Sequence, residues 1–229
     1  MSKSAVSVVI PTRNYAHYLP AAIESVLAQE AVETELIVVD DGSDDDTQEV
    51  VTHFRNVTYL HRPHSGVGAA RNAGVSASTC DWVAFLDADD VWKSHKLRRQ
   101  MSAIDHQPNL DLVYAWVEEF VSDDLPGSLA HTVQARPDPY PAPIPSVLLL
   151  SRRALQQVGA FREDRESGEA LDWILRVREQ GLRLHVVDEV LALRRVHATN
   201  SGRVSREAQQ REYLNAIRRS LTRRRSGGG

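Results

Sequence analysis

The stretch Val6-Ser7-Val8-Val9-Ile10-Pro11-Thr12-Arg13-Asn14 decides the fold. Four of its first five residues are apolar and β-branched, with no regular polar alternation. Such a run reads as a strand buried on both faces, the habit of a parallel sheet. Outward from it, Leu19, Ala22, Ile23, Val26 and Leu27 recur at helical spacing. Leu36-Ile37-Val38-Val39 is a second buried strand, stopped by Asp40-Asp41-Gly42-Ser43. A helix with Val50, Val51 and Phe54 on one face follows, then a short strand from Val57 to Leu60. Gly66 to Ala77 reads as a Gly/Ala-rich helix. Trp82-Val83-Ala84-Phe85-Leu86 is a fourth strand, ended by Asp87-Ala88-Asp89-Asp90. Lys96 to Ile104 looks helical and Leu112 to Val117 looks like a strand. This alternation predicts an α/β domain, a mostly parallel central sheet flanked by helices in the Rossmann-like manner.

From Ser122 to Pro145 the pattern dissolves into a proline-rich segment, and a long irregular stretch inside a domain is usually functional. Order returns at Val147-Leu148-Leu149-Leu150, with a short helix ending at Gly159. A stronger helix is expected from about Glu166 to Gln180, closed by Gly181 as a C′ glycine. Two short strands, Leu184 to Val187 and Val190 to Val196, complete a single domain over residues 1–203. Residues 204–229 read as a basic helical tail with a disordered glycine end.

The bulk numbers narrow the classes. The chain has 229 residues, 42% hydrophobic and 25% charged, the balance of a globular domain. A formal net charge of -4 supplies no basic field for nucleic acid. The single cysteine, Cys80, fits a reducing compartment and reads as small buried filler. No apolar run is long enough for a bilayer, and Met1-Ser2-Lys3-Ser4 leads straight into a strand pattern. A cytoplasmic protein is expected. The basic tail leaves room for peripheral contact with anionic lipid, or for a helix that forms a homodimer.

Ligands of open α/β sheets sit at the carboxyl ends of strands. Three strands here end in polar clusters: Pro11-Thr12-Arg13-Asn14, Asp40-Asp41-Gly42-Ser43 and Asp87-Ala88-Asp89-Asp90. Asp, Gly and Ser also make ordinary solvated turns. Three such clusters at successive strand ends favour a shared site. Their carboxylates repel one another unless a cation is bound, and hard oxygen ligands select Mg²⁺ or Mn²⁺.

These residues resemble the family 2 glycosyltransferases with the GT-A, or nucleotide-diphospho-sugar transferase, fold. The resemblance runs from Val6 to about Asn200. It rests on the first stretch quoted above, on Glu35 to Asp45, on Gly66-Val67-Gly68-Ala69-Ala70-Arg71-Asn72-Ala73-Gly74, and on Phe85 to Trp92. The resemblance implies a nucleotide-sugar donor, most often a UDP-sugar, and a divalent metal. It places Pro11, Thr12 and Arg13 around base and ribose, with Asp41 and its neighbour Asp40 on the base. It turns Arg71 toward the nucleotide, sets Asp87 and Ala88 beside the ribose or sugar, and makes Asp89 the metal ligand. Asp90 is expected to cap a helix and Trp92 to pack. Gly66-x-Gly68 is not a dinucleotide fingerprint, because Arg71 stands where the third glycine belongs.

The resemblance also expects a Glu-Asp pair opening a late helix, with the carboxylate that takes the acceptor's proton. Here the segment reads Glu169-Ala170-Leu171-Asp172-Trp173-Ile174-Leu175-Arg176, with Ala170 at the expected base position. Asp172 is the favoured base and Glu169 the alternative; the two share one helix face. A solvated Asp172–Arg176 pair is the structural reading of the same residues. Arg194-Arg195-Val196-His197 resembles the family's late Arg-x-His element, making His197 a second metal ligand. Trp116, Tyr140 and Trp173 are the aromatic candidates for an acceptor that is a glycan, a lipid-linked sugar or a peptide. Two other readings remain: a nucleotide-sugar-binding subunit without turnover, suggested by Ala170, and a nucleotidyltransferase on a related fold.

Overall fold

Val6, Val8, Val9 and Ile10 are fully buried in β1 (Ala5–Thr12), and the strand sends its side chains into two different cores. Val8 and Ile10 pack with Leu19, Ile23 and Val26 of α1 (Leu19–Leu27) and with Leu97 and Met101 of α4 (Lys96–His106). Val9 faces the other way, toward Ala70 of α3 (Val67–Ala77), α5 (Arg152–Val158) and α6 (Glu169–Glu179). Apolar residues at both even and odd positions therefore had to be strand, since both pleat faces are covered. The computed structural model describes residues 5–125, 133–163, 168–198 and 200, with 214, 217–220 and 222 of the tail.

The remaining elements are β2 (Glu33–Asp40), α2 (Thr47–Thr52), β3 (Val57–His61), β4 (Trp82–Phe85), β5 (Val91–Trp92), β6 (Leu112–Val121), β7 (Tyr140–Pro141), a 3-10 turn (Pro145–Val147), β8 (Leu149–Ser151) and β9 (Leu184–Val196). One sheet runs β3-β2-β1-β4-β8-β6-β9-β5, with β7 beside β6. β3, β2, β1 and β4 are mutually parallel. The strand order reverses at β1, where β2 lies on one side and β4 on the other, so a ligand crevice opens at their carboxyl ends.

The expectation of a mostly parallel sheet holds for this half and is corrected in the other. β8 runs antiparallel between β4 and β6, and β5 and β7 are antiparallel to their partners. β6 and β9 pair in parallel, and the two strands expected near the end are one. Asp188 and Glu189 looked like a break. Instead the register shifts there: Val187 faces Ala115 and Val190 faces Trp116, so a bulge absorbs the polar pair.

Glycine decides one packing distance. A Cβ on Gly74 of α3 would collide with the Val9 side chain, so α3 lies on β1 only because residue 74 has none. Gly181 takes φ 68° after α6, as its C′ position requires. The expected start of that helix near Glu166 falls outside the described residues; its first described turn begins at Glu169, after Gly168 with φ 78°. Cys80 is only half-buried, and its backbone N–H donates to Ser7 Oγ at 3.0 Å. Most of the tail, including Arg223 to Arg225 and the domain boundary at 203, lies outside the described residues. Among those described, no helix is long and apolar enough to cross a membrane.

Candidate functional site

Four strand ends meet at one rim. At the end of β2, Asp40 is buried at 2% exposure. Its carboxylate accepts from Ser43 N–H at 2.8 Å and Tyr59 O–H at 2.5 Å. Burial raises its pKa, but these hydrogen bonds outweigh burial and hold the carboxyl below its ordinary range. Asp40 thus organises its own turn. Asp41, also buried, reaches the opposite way. It accepts from the backbone N–H of Ser65 at 2.9 Å and of Gly66 at 2.8 Å, and from His64 Nδ1 at 2.7 Å. Arg13 Nη1 lies 3.0 Å from His64 Nε2. His64 thus bridges Arg13 and Asp41 between the ends of β1 and β2. Thr12, one strand over, is buried, and its Oγ1 has no hydrogen-bond partner among the described residues.

The acidic run after β4 divides its work. Asp87 Oδ1 takes Arg71 Nη2 at 2.7 Å, and the other arm of Arg71 holds Glu169 Oε1 from the start of α6. Arg71 is 3% exposed. It is therefore a buried guanidinium committed to two carboxylates, the enclosed Glu169 of α6 and the partly exposed Asp87 at the end of β4. Burial, together with the nearby Asp89 charge, pushes the Asp87 carboxyl up despite Arg71. Ala88 is buried. Asp89 Oδ2 meets His197 Nε2 at 2.9 Å and accepts from Asn200 Nδ2 at 3.2 Å. Asp90 does not cap a helix. It accepts from Ser146 Oγ at 2.6 Å and from Arg195 N–H at 3.0 Å, tying the 3-10 turn and β9 to the run. Burial, with Asp89 and Asp87 nearby, pushes its pKa well up.

His197 follows directly on β9 and is buried. Tyr15 meets its ring edge-on with centroids 5.7 Å apart, and Tyr18 leans over it at 4.8 Å. Burial and the charges of Asp89 and Asp87 push the Tyr15 hydroxyl up. Tyr18 O–H donates to Asp124 Oδ2 at 2.6 Å, and Arg195 places its guanidinium 5.0 Å over the Tyr18 ring. Sequence reasoning missed Tyr15 and Tyr18. Their one signal was position: they follow Asn14 in the loop that leaves the first strand at its ligand end. It also assigned no role to Asn200 or Ser146, whose importance depends on partners far away in the chain.

The two base candidates part company. Asp172 is fully enclosed and pairs with Arg176 Nε at 3.0 Å. The other arms of Arg176 hold the carbonyls of Val158 and Ala160 at 2.7 Å and 2.8 Å, so the pair is a buried anchor of α6 rather than a solvated one. Glu169 is linked through Arg71 to Asp87 on the rim. Trp173 is not an acceptor platform: it is fully buried, stacked on Phe161 at 5.4 Å. Trp92 packs as expected, with Nε1 donating to the Ser146 carbonyl at 2.6 Å. A separate cleft of about 390 Å³, lined by Trp82, Asn109, Arg152 and Arg153 among others, opens at the amino end of β4, away from these carboxylates.

A carboxylate oxygen and an imidazole nitrogen converging on one point form a donor set that suits Mn²⁺ or Mg²⁺, with phosphate oxygens completing the shell. Among the described residues no three His, Cys, Asp or Glu side chains gather into a metal site of the protein's own. Asp89 and His197 fit a metal shared with a phosphorylated ligand.

The α/β sheet, with its carboxylates gathered at the reversal of strand order, has the architecture of the GT-A fold. The comparison with known sequences makes this specific: the sequence model of glycosyl transferase family 2 matches residues 7–158, and the chain belongs to that family. An uncharacterized glycosyltransferase of Nostoc sp. is 48% identical over 99 residues, 41% of this chain and 31% of that protein. The pre-mycofactocin glycosyltransferase of Mycobacterium tuberculosis is 34% identical over 196 residues, 78% of this chain and 40% of that protein. The crystal structure of S. aureus TarS residues 1–349 with UDP-GlcNAc superposes with a TM-score of 0.69 at 21% identity, over 85% of this chain and 59% of that one. The chain spans about a third of the length of the Nostoc relative and of an uncharacterized Rickettsia prowazekii glycosyltransferase, 31% and 34%.

Proposed function

We propose that this domain moves a sugar from a UDP-sugar to an acceptor hydroxyl with inversion, using Mn²⁺ or Mg²⁺ held by Asp89 and His197. The observation that carries this reading is the 2.9 Å meeting of Asp89 and His197, from strand ends 108 residues apart, on the rim that also holds Thr12, Asp41 and Asp87. TarS, which shares the fold, has been crystallised with UDP and with UDP-GlcNAc. Pro11, Thr12 and Arg13 line the base and ribose, and the partnerless Thr12 Oγ1 is a polar atom ready for a ligand. Asp41 has room for one further donor, a base N–H, while Asp40 supports it by fixing the turn. Asp87 and Ala88 flank the ribose and sugar, and Arg71 positions Asp87 instead of touching phosphate. A bound divalent cation supplies positive charge to the departing diphosphate.

The acceptor proton goes to Glu169 rather than Asp172. Both carboxylates are buried and paired with an arginine, but Glu169 is joined through Arg71 to Asp87 on the rim, whereas Asp172 and Arg176 anchor the far side of α6 to Val158 and Ala160. Calorimetry with UDP and Mn²⁺, followed by UDP release from a panel of UDP-sugars, tests the reading. Binding that needs both Asp89 and His197 supports it; no UDP binding with either metal overturns it.

A second reading has its own observation. Ala170 leaves the usual base position empty of a carboxylate, and Arg71 already holds Glu169. The domain would then bind the donor without turning it over. Slow UDP release in the absence of acceptor excludes this; tight UDP binding with no release under any condition supports it.

A further inference from the structure

The proline-rich segment is pinned to the sheet by one buried carboxylate. Glu119 of β6 accepts from Tyr140 O–H at 2.7 Å, from the Arg136 backbone N–H at 3.0 Å and from Arg194 Nη1 at 3.0 Å. Its side chain is only 8% exposed. Three donors satisfy it, and Arg194 cancels its charge. The Arg136 guanidinium then lies over the Tyr140 ring, 4.1 Å from the centroid, and the residue is exposed. It makes no ion pair among the described residues; Glu118 and Asp138 nearby are exposed and do not reach it.

A lone surface arginine ordinarily samples many rotamers, at an entropy cost to any ligand that stops it. Here the aromatic face and the anchored backbone have already stopped it, so the cation is held in place before a ligand arrives. Its place is informative. Glu119 faces Arg194 across the β6–β9 register, and Arg194 is three residues before His197. Tyr140 itself pairs with Val117, which faces Ala192, five residues before His197, and its hydroxyl reaches forward to Glu119. At about 3.3 Å per residue, the stack therefore lies roughly 10–16 Å along the strand direction from the proposed cation ligand, on the order of a donor sugar plus one or two acceptor rings.

We propose that the Arg136–Tyr140 stack is the anion-reading end of the acceptor site, selecting an acceptor that carries a phosphate or carboxylate about one or two sugar rings from the hydroxyl that is glycosylated. This rests on the glycosyl-transfer reading above for the acceptor role; the anion site itself is independent of it. The guanidinium would donate two parallel N–H bonds to the oxyanion while its other face stays on Tyr140.

The test titrates the protein, with UDP and Mn²⁺ present and again without them, against glucose, glucuronate and glucose 6-phosphate by calorimetry. Either anionic sugar should bind at least about tenfold more tightly than glucose, and Arg136→Gln should erase the difference. Arg136→Lys should keep part of it, because charge remains and the stack is lost. Comparison of the two anions identifies the phosphate or the carboxylate as the preferred group. Equal binding of all three sugars, no binding of either anion, or discrimination that survives Arg136→Gln would overturn the proposal. Failure of UDP to bind would sink the donor reading alone, since the titrations without UDP still judge the stack.

Discussion

From β3 to β4 the sheet is parallel, and each strand delivers its last residues to the same rim as a contiguous motif. From β8 to β5 it is mixed, and its contributions to the site arrive one residue at a time: Ser146 from a turn, Glu169 from a helix start, His197 and Asn200 from the end of β9. In the proposed function the first half takes the donor, through backbone geometry that local sequence dictates. The second supplies single side chains whose meaning depends on what faces them. On that proposal, a new acceptor is accommodated by changes in the second half that leave the first-half turns in place.

Breaking the second half at its proposed chemical residue should have the largest effect. Glu169→Gln is expected to lower turnover about 10²- to 10⁴-fold with UDP affinity retained, the range for loss of a general base. Asp172→Asn should instead cost about 3 kcal/mol of stability, because it removes the charge of an enclosed carboxylate whose pairing with Arg176 anchors α6, while the folded fraction keeps its turnover. Steady-state rates beside denaturant melts separate the two. Abolished turnover in fully folded Asp172→Asn would return the base to that residue.

In the first half the largest expected effect is on packing. Gly74→Ala should destabilise the domain by about 1–3 kcal/mol, since the new methyl meets Val9 and α3 must lift from β1. A chemical melt within a few tenths of wild type would show that the close approach is dispensable.

Asp40 tests the claim that the first half is organised by its own turn. Its folded pKa is depressed, so its hydrogen bonds contribute stability above the unfolded value of about 3.9, and that contribution is lost as pH falls through the lower folded value. Asp40→Asn should cost about 1–3 kcal/mol at pH 7, and the difference from wild type should shrink below about pH 4. A pH-independent difference would contradict the assignment.

The smallest effect concerns the join between the halves. Tyr18→Phe and Asp124→Ala each remove one side of a 2.6 Å hydrogen bond that ties the loop after β1 to the segment after β6, above His197. Each should slow turnover a few-fold, by about 1 kcal/mol, and the double variant should be no worse than either single one. Additive losses would mean that the two residues act separately.

Much of the first half was legible because its signals are local. Buried-strand runs, the turn chemistry of Asp40 to Ser43 and the acidic run at Asp87 each lie within a dozen residues, and parallel pairing puts their ends together. Less of the second half was legible. That β8 would run antiparallel, that Asp188-Glu189 would become a bulge rather than a break, and that Asp90 would tie Ser146 to Arg195 all depend on strand partners. The base candidates show the same limit. Helical spacing put Glu169 and Asp172 on one face, but only packing turned one toward Arg71 and closed the other against Arg176.

By itself the sequence determined the alternation of strand and helix, the family, and the acidic run that ends β4, because hydrophobic period and turn-forming residues act over a few bonds. The tertiary structure alone decided which carboxylate meets which cation, that Arg71 bridges two acids, and that His197 faces Asp89 under Tyr18. Those choices are set by burial, where a charge must find its partner across the fold or lose its solvation without return.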